Sequence, residues 1–537
     1  MLKEGISPFT HAHIMKYMKF KIELLAIIML VVALAAGQSS PGGTQNNLSL
    51  WLKADAGVSC STNNCGINLW SNQQGNTSWD AQGTGDAVWL NSGTNLLNFN
   101  STVSFTDDAQ PFKANNITRA NGTASTVFVV GMVNVINDKA FFEFRGGGAR
   151  AFFIDRRYAS NNNFATSMGT GATRVWSITD TGGSNSYEVF EDTKRLQARN
   201  SKNNTSWTTA NFVLGDDDTG GNRLTGNISE ILYYDRLLTA VELSRVHSYI
   251  AIKYGISIDD GIGGDYVASN WNGTTGVRFW NATTNTGFNN DVFGIGRDDS
   301  SALNQRVSKS VNADDIVSIS LDNDFISNTQ SAARTAALDN LDFLMVGNNN
   351  GNFNVSTTAI ASLSPDLKRI NRVWRVQDTG SVDCVYYNFN TISFTKSPTQ
   401  AWYIVIADDA SFTANVAYQQ ITTGGNTLVR LNLNDNSANN YITLARLDRA
   451  QIANTFDAGI VGINTQTPAA NTYLDIRGGN QGMVITRLTQ TAINAMTAVE
   501  GMLVFNTTAN TFQLYNGSIW RNLGDAPPPV SKFCNYQ

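Results

Sequence analysis

Most of this chain is written as short strand-like runs, apolar residues mixed with polar ones and divided by Gly, Asn and Asp. After Tyr266 such runs fall at Ile316–Leu321, Phe343–Val346, Arg372–Gln377, Val385–Phe389, Trp402–Ala407, Leu428–Leu433 and Tyr441–Leu447. No long helical pattern interrupts them, so residues 262–450 are expected to form an all-β domain. One segment departs from the pattern. Ile228–Tyr234 reads as a strand, Asp235 and Arg236 break it, and Thr239 then opens a helix. Thr239 with Glu242 makes a capping box, and Leu238 with Leu243 stands at hydrophobic-staple spacing. Leu243, Val246, Ile250 and Tyr254 form one apolar stripe, and Gly255 sits at the C-cap. A helix laid against something apolar directly after a strand predicts the end of a β-sandwich. Near the C-terminus, GMLVFNTTANTFQLYNGSIWRNLG reads as paired hairpins. There Asn516-Gly517, between Tyr515 and Trp520, is a type I′ turn signal.

The phrases NISEILYYDRLLTAVELSRVHSYIAIKYG, LSLWLKADAGV, STVFVVGMVNV and TRVWSITD resemble the laminin-G-like, concanavalin-type jelly rolls of large Gram-negative surface proteins. The resemblance covers residues 45–255. It implies a jelly-roll sandwich and a surface location, and no single activity. GFNNDVFGIGRDDSSALNQ and LKRINRVWRV resemble an uncharacterised domain family that follows such jelly rolls. GIVGINTQTPAANTYLDIRG, opening a unit at 455–524, resembles phage tail-fibre-like proteins. Units of that kind are thin and associate as trimers or stack on neighbours, so the resemblance implies a homotrimer through this unit or packing on an adjoining one. The expected organisation is a signal segment at 1–37, a jelly roll at 45–255, an all-β domain at 262–450, a tail-fibre-like unit at 455–524 and a Pro-rich tail at 525–537.

Composition adds the compartment. Only 15% of the 537 residues are charged and the net charge is -5, which leaves no basic face for nucleic acid. Leu24–Ala36 is an unbroken apolar run behind Lys16, Lys19 and Lys21, too short to span a bilayer readily. It reads as an export signal cleaved before Gln38, with a retained anchor as the alternative. The expected location is therefore secreted or cell-surface. Cys60 and Cys65 enclose a short polar turn and are expected to pair as a disulfide in an exported chain.

Candidate chemistry is sparse. His11 and His13 precede the apolar run, leaving His247, which lies beside the helix stripe and reads as a packed structural residue. That argues against a Ser-His-Asp or Cys-His catalyst. Glycoside cleavage needs two carboxyls on one substrate. The nearest pair, Glu230 and Asp235, falls on opposite faces of a strand. Glu188, Glu191 and Asp192 read as a solvent-facing hairpin. Asp216, Asp217 and Asp218 in LGDDDTGGN are the calcium candidates, with an acidic turn as the alternative; Asp298 and Asp299 are a second such pair. Trp70, Trp79 and Trp89 are the candidate sugar-stacking platforms, with burial in the core as the alternative.

Together these readings predict a non-enzymatic surface protein that binds a glycan or another surface protein. A structural fibre without a small-molecule site is the first alternative, and a polysaccharide hydrolase the second.

Overall fold

The computed structural model describes residues 39–118, 124–134, 139–145, 150–153, 157–158, 162–163, 170–182, 187–199, 209–216, 221–259, 262–312, 315–329, 335–397, 400–433, 440–448, 461–463, 474–476 and 484–523. The expected signal segment and the Pro-rich tail lie outside them. The fold is all-β with multiple antiparallel sheets, and the chain divides into two compact units.

In the first unit two antiparallel sheets face each other. One is centred on the strands Ser125–Val133 and Gly226–Tyr234, with Leu48–Lys53 and Arg174–Asp180 as further members. The other is centred on Phe112–Thr118, Ala140–Arg145 and Thr209–Leu214. Their inner faces meet in one aromatic-rich core, in which Phe141 contacts Trp176 at 4.8 Å and Phe144 contacts Tyr233 at 4.9 Å. Every residue of Gly226–Tyr234 is buried. A half-exposed antiparallel strand would alternate, so something covers the outer face as well.

The cover is the helix Ala240–Tyr254. Its capping box forms as expected: Thr239 Oγ1 accepts from the Glu242 amide at 3.3 Å, and Glu242 Oε2 accepts from the Thr239 amide at 2.9 Å. Gly255 ends it in the left-handed region at φ 67°. Val246, Ile250 and Tyr254 pack with Trp51, Phe128, Leu232 and Tyr234 of the sheet. The helix is buried well beyond one stripe, however, since every residue from Val246 to Tyr254 is inside. Tyr266, Phe279, Val292, Leu303 and Phe343 share the same core. The helix is therefore a middle layer. The compact unit that contains it continues to Ala313 and takes in Asp322–Met345, so the expected break at 255–262 does not separate two compact bodies. In that added layer GIGR lies inside the strand Asn290–Asp298. A Cβ on Gly294 would come within 2.3 Å of Met345 Sδ, and one on Gly296 within 2.2 Å of Phe343. These glycines serve close packing.

The second unit, Asp314–Leu321 with Val346–Gln537, carries another pair of sheets. The strand Asn440–Asp448 pairs with Ser364–Ile370, Trp374–Thr379 and Gln400–Ala407. Val317–Ser320, Val385–Asn390 and Asn426–Leu431 make the second sheet. Trp374 of one sheet meets Phe389 of the other at 5.5 Å. Each strand expected in this region has a counterpart within a few residues. The hairpin Val355–Ile360 with Ser364–Ile370 was not foreseen; Val355, Ser356, Thr357 and Thr358 at its edge are polar-rich and partly exposed, so the apolar signal is faint.

Candidate functional site

The most elaborate polar cluster lies under the helix. A bulge between Ile228 and Glu230 in the strand Gly226–Tyr234 reverses the facing of side chains, so Ile228 enters the inter-sheet core while Glu230 faces the helix. Four donors converge on that fully buried carboxylate. Trp51 Nε1 reaches Oε1 at 2.6 Å and Tyr249 OH reaches it at 2.8 Å; Tyr254 OH and Lys253 Nζ reach Oε2 at 2.7 and 2.8 Å. Lys253 Nζ also lies 3.2 Å from Asp55 Oδ2. Burial opposes the Lys253 ammonium, but Asp55 and Glu230 hold its pKa well above the usual lysine range. Burial likewise opposes the Asp55 carboxylate, which Lys253 keeps below its ordinary value. Each Glu230 oxygen accepts two hydrogen bonds, which leaves that carboxylate no lone pair for a substrate. The cluster ties a strand to a helix, and Glu230 is a positioned structural acid. Asp235 lies past the strand end and accepts from Ser49 Oγ at 3.0 Å, so no acid pair forms with Glu230.

The three tryptophans expected as platforms are in the core. Trp70, Trp79 and Trp89 are buried; Trp70 Nε1 donates to the Lys53 carbonyl, Trp89 Nε1 to the Ala54 carbonyl, and Trp79 packs on Phe144 and Tyr233. Buried indoles that each find a partner stabilise a sandwich and offer no face to a sugar. Of the calcium candidates, Asp216 is also fully buried. It accepts from the Asn222 amide at 3.1 Å and stands 3.6 Å from Arg223 Nε. A cation already faces it. Asp217 and Asp218 lie outside the described residues. Asp298 caps a short turn, accepting from Ser269 and Ser301, and Asp299 pairs with Arg297. Among the described residues no group of three or more His, Cys, Asp or Glu is arranged to hold a metal ion. Cys60 and Cys65 are bonded as expected. His247 is buried against Phe128, and burial pulls its pKa down to about 4.

The hairpin Tyr187–Glu191 with Lys194–Arg199 is not wholly solvent-facing. Tyr187 and Val189 are core residues, and Glu191 accepts from Trp176 Nε1 at 3.0 Å. Asp192 accepts from the Val175 amide and pairs with Arg174. Beside this turn is a cleft of about 350 Å³ whose polar lining includes Arg174, Asp192, Lys194, Ser257, Asp259 and Asn312. Burial pushes Asp192 up to about 6 against the pull of Arg174, and burial raises Asp259 as well. Displaced carboxylates in a cleft are a feature of binding sites. Neither acid was singled out for this position by the sequence, because the cleft joins segments far apart in the chain.

At the C-terminus the strands Leu503–Asn506, Thr511–Tyr515 and Trp520–Asn522 form an antiparallel sheet, and the short helix Gln490–Ala495 lies on one face. Asn516 accepts from the Ser518 and Ile519 amides, so the hairpin closes through a side-chain-capped four-residue loop and not the expected two-residue type I′ turn. Asn506, on the helix side, donates to Gln490 Oε1 and Gln513 Oε1, and Gln513 donates to Asn522. Leu503, Phe505, Phe512 and Leu514 point the other way, with Phe505 and Phe512 edge to face at 5.1 Å.

Residues 242–438 match the model of a Domain of unknown function (DUF8202), and residues 462–533 match that of a Phage tail like trimerisation region. The first match begins inside the helix Ala240–Tyr254, in keeping with that helix being shared between layers. No curated protein matches the chain. Among solved structures, domain 4 of the extracellular arabinanase AbnA of Geobacillus stearothermophilus, in complex with arabinotriose, aligns at 12% identity and a TM-score of 0.28, covering 38% of this chain and 99% of that one. Trypanosoma rangeli sialidase aligns at 10% identity and a TM-score of 0.26, covering 38% and 33%. A GH54 arabinofuranosidase aligns at 12% and 0.26, covering 35% and 51%. Likeness at this level carries no argument about activity. No helix among the described residues is long and apolar enough to cross a membrane.

Proposed function

We propose that this chain is the subunit of a trimeric, exported fibre or surface-display protein. The observation that carries this is the C-terminal sheet, one face of which leaves Leu503, Phe512, Leu514 and Leu523 bare, within a region that matches a trimerisation family. The two sandwich units ahead of it act as folded spacers or display modules. In this reading the first sandwich is of the laminin-G-like, concanavalin type, and the apolar run Leu24–Ala36 directs export. The role is non-catalytic, which the occupied Glu230 carboxylate and the buried His247 support. Light scattering of the purified exported chain tests the assembly. A three-chain mass at micromolar concentration is expected, and a monomer would overturn the reading.

A second reading, adhesion through a bound glycan or surface protein, rests on the cleft beside Asp192 and Asp259. Its size and mixed polar lining suit a polyhydroxylated ligand. Affinity electrophoresis against a polysaccharide panel tests it, with Asp259→Asn expected to abolish any retention. Retention that persists in that variant would remove the cleft from consideration.

A further inference from the structure

We infer that the bare face of the C-terminal sheet, formed by Leu503, Phe505, Phe512, Leu514 and Leu523, is the surface on which copies of this chain meet around a threefold axis. This rests on the trimeric reading and names the residues that would make it. The strand register fixes the facing. Leu503 stands opposite Leu514 and Phe505 opposite Phe512, and antiparallel partners project to the same side. Leu523, two residues past Arg521, which pairs with Leu514, joins them.

The two faces differ in what covers them: Val504 and Ile493 are buried on the helix side, and the other face has no such cover among the described residues. The helix-covered side holds Asn506, Gln513, Gln490 and Asn522, which satisfy one another through hydrogen bonds of 2.6 to 3.2 Å. The uncovered side holds Leu503, Phe505, Phe512, Leu514 and Leu523, with Arg521 beside Leu514. Leu503 and Leu514 are each 37% exposed, Phe512 45% and Leu523 51%. A sheet that stayed monomeric would leave this second apolar face in water, which costs free energy in proportion to the apolar area exposed. Seven of the twelve large apolar side chains that stand exposed among the described residues fall within residues 484–523: Val484, Val499, Leu503, Phe512, Leu514, Ile519 and Leu523. Elsewhere they are scattered singly, as surface apolar residues normally are.

The patch also has relief. An apolar trough of about 210 Å³ runs along it, lined by Val484, Ile485, Arg487, Phe505 and Phe512. The Arg487 guanidinium sits over the Phe505 ring at 5.4 Å, so even its cation presents a flat surface. The charged residues between 484 and 523 are Arg487, Glu500 and Arg521, and the two that share this face are arginines, the cation enriched at interface centres. Aromatic residues together with Arg, and no Lys, Asp or Glu among the described residues of the face, are the composition of an interface centre. The occupant is a second and third copy of this chain, because the whole sheet lies inside the residues that match the trimerisation family. Three identical apolar faces turned to one axis cover each other and leave no open edge.

The test uses the full exported chain. The double variant Phe512→Glu/Leu514→Glu is compared with wild type by light scattering, and Tyr418→Glu, an exposed aromatic outside the patch, is the control. A three-chain mass for wild type and control with a one-chain mass for the double variant is the expected result. A double variant that stays trimeric overturns the face assignment while the trimeric reading stands; a monomeric wild type overturns both. A small unit unfolded by the two glutamates would also give a monomer, so a milder pair of variants is added. Leu514→Cys on the face and Asn494→Cys on the outer side of the helix Gln490–Ala495 are treated with a short bis-maleimide. Chain-to-chain cross-links from position 514 and none from 494 are expected. The reverse pattern, or cross-links at neither position in a trimer, overturns the proposal.

Discussion

Glu230 and Lys253 are two residues whose meaning comes from their company. An isolated ion pair in a protein interior is a poor source of stability, because desolvating two charges offsets their attraction. Here the offset is met by three further donors from Trp51, Tyr249 and Tyr254, and by Asp55 on the far side of Lys253. Removing the cation leaves the buried Glu230 carboxylate without a counter-charge beside the partly buried Asp55. Lys253→Met is therefore expected to destabilise the first unit by about 3–5 kcal/mol in chemical denaturation. A change near zero would mean the cluster is open to water. Any loss of function in Glu230→Gln must likewise be read against a loss of fold. His247 makes a second residue-scale prediction. Its folded pKa is about 4 and its ordinary value 6.5. Above pH 6.5 both folded and unfolded forms are neutral and nothing is lost. As pH falls below 6.5 the unfolded chain takes up a proton that the folded chain refuses, and stability drops by about 1.4 kcal/mol per pH unit until about pH 4. Asp192, raised to about 6, has the opposite sign over part of that range. The His247 slope is thus read as the difference between wild type and His247→Gln: wild type should lose stability relative to the variant as pH falls from 6.5 to 4, and a constant difference would remove His247 from the account.

At the scale of elements, the helix Ala240–Tyr254 is held by its caps at the ends and by two cores along its length. Thr239→Ala removes a side-chain acceptor at the N-terminus and should cost about 1 kcal/mol. Glu242, the other half of the box, is also held by Arg236, whose guanidinium pulls its pKa down to about 2. Ile250 is fully buried, while Leu243 is only partly covered at the rim of the same core. Ile250→Ala is expected to cost roughly 2–5 kcal/mol and Leu243→Ala less. The order of the two, measured by urea denaturation, checks the docking of the helix. Equal costs would place both on one shallow stripe, as the sequence pattern alone suggested.

At the scale of the molecule, the first unit is one body of shared layers that runs on past residue 255. Asn98 and Asn100, in the loop before the strand Thr102–Phe105, donate to the Lys253 carbonyl at the helix end, and Asn98 Oδ1 accepts from the Lys309 amide at 2.8 Å. Gln305 and Asn328 complete that buried amide network. A chain cut at residue 255 would expose Ile252 and the apolar underside of the helix and strand the amides of Asn98 and Asn100. Residues 38–255 expressed alone are therefore expected to aggregate or to be digested quickly by trypsin, where residues 38–345 resist. Equal resistance of the two fragments would restore residue 255 as a true boundary.

The sequence by itself determined what depends on near neighbours. The caps at Thr239 and Gly255, the strands of the second unit, the Cys60–Cys65 link and the hairpin around Asn516-Gly517 are all set by residues a few positions apart, and all are present. Tertiary structure decided the rest. Whether Trp70, Trp79 and Trp89 stack on a ligand or fill a core depends on the sheet that arrives from residues 112–214, not on the residues beside them. A single bulge after Ile228 reversed the facing of Glu230, and strand parity carries no sign of it. The helix that looked like an ending became a middle, because its second apolar face is recognised only once Tyr266, Phe279 and Phe343 fold back to meet it. Burial is a property of segments brought together across long loops, and local pattern reports only which side of an element is able to be buried.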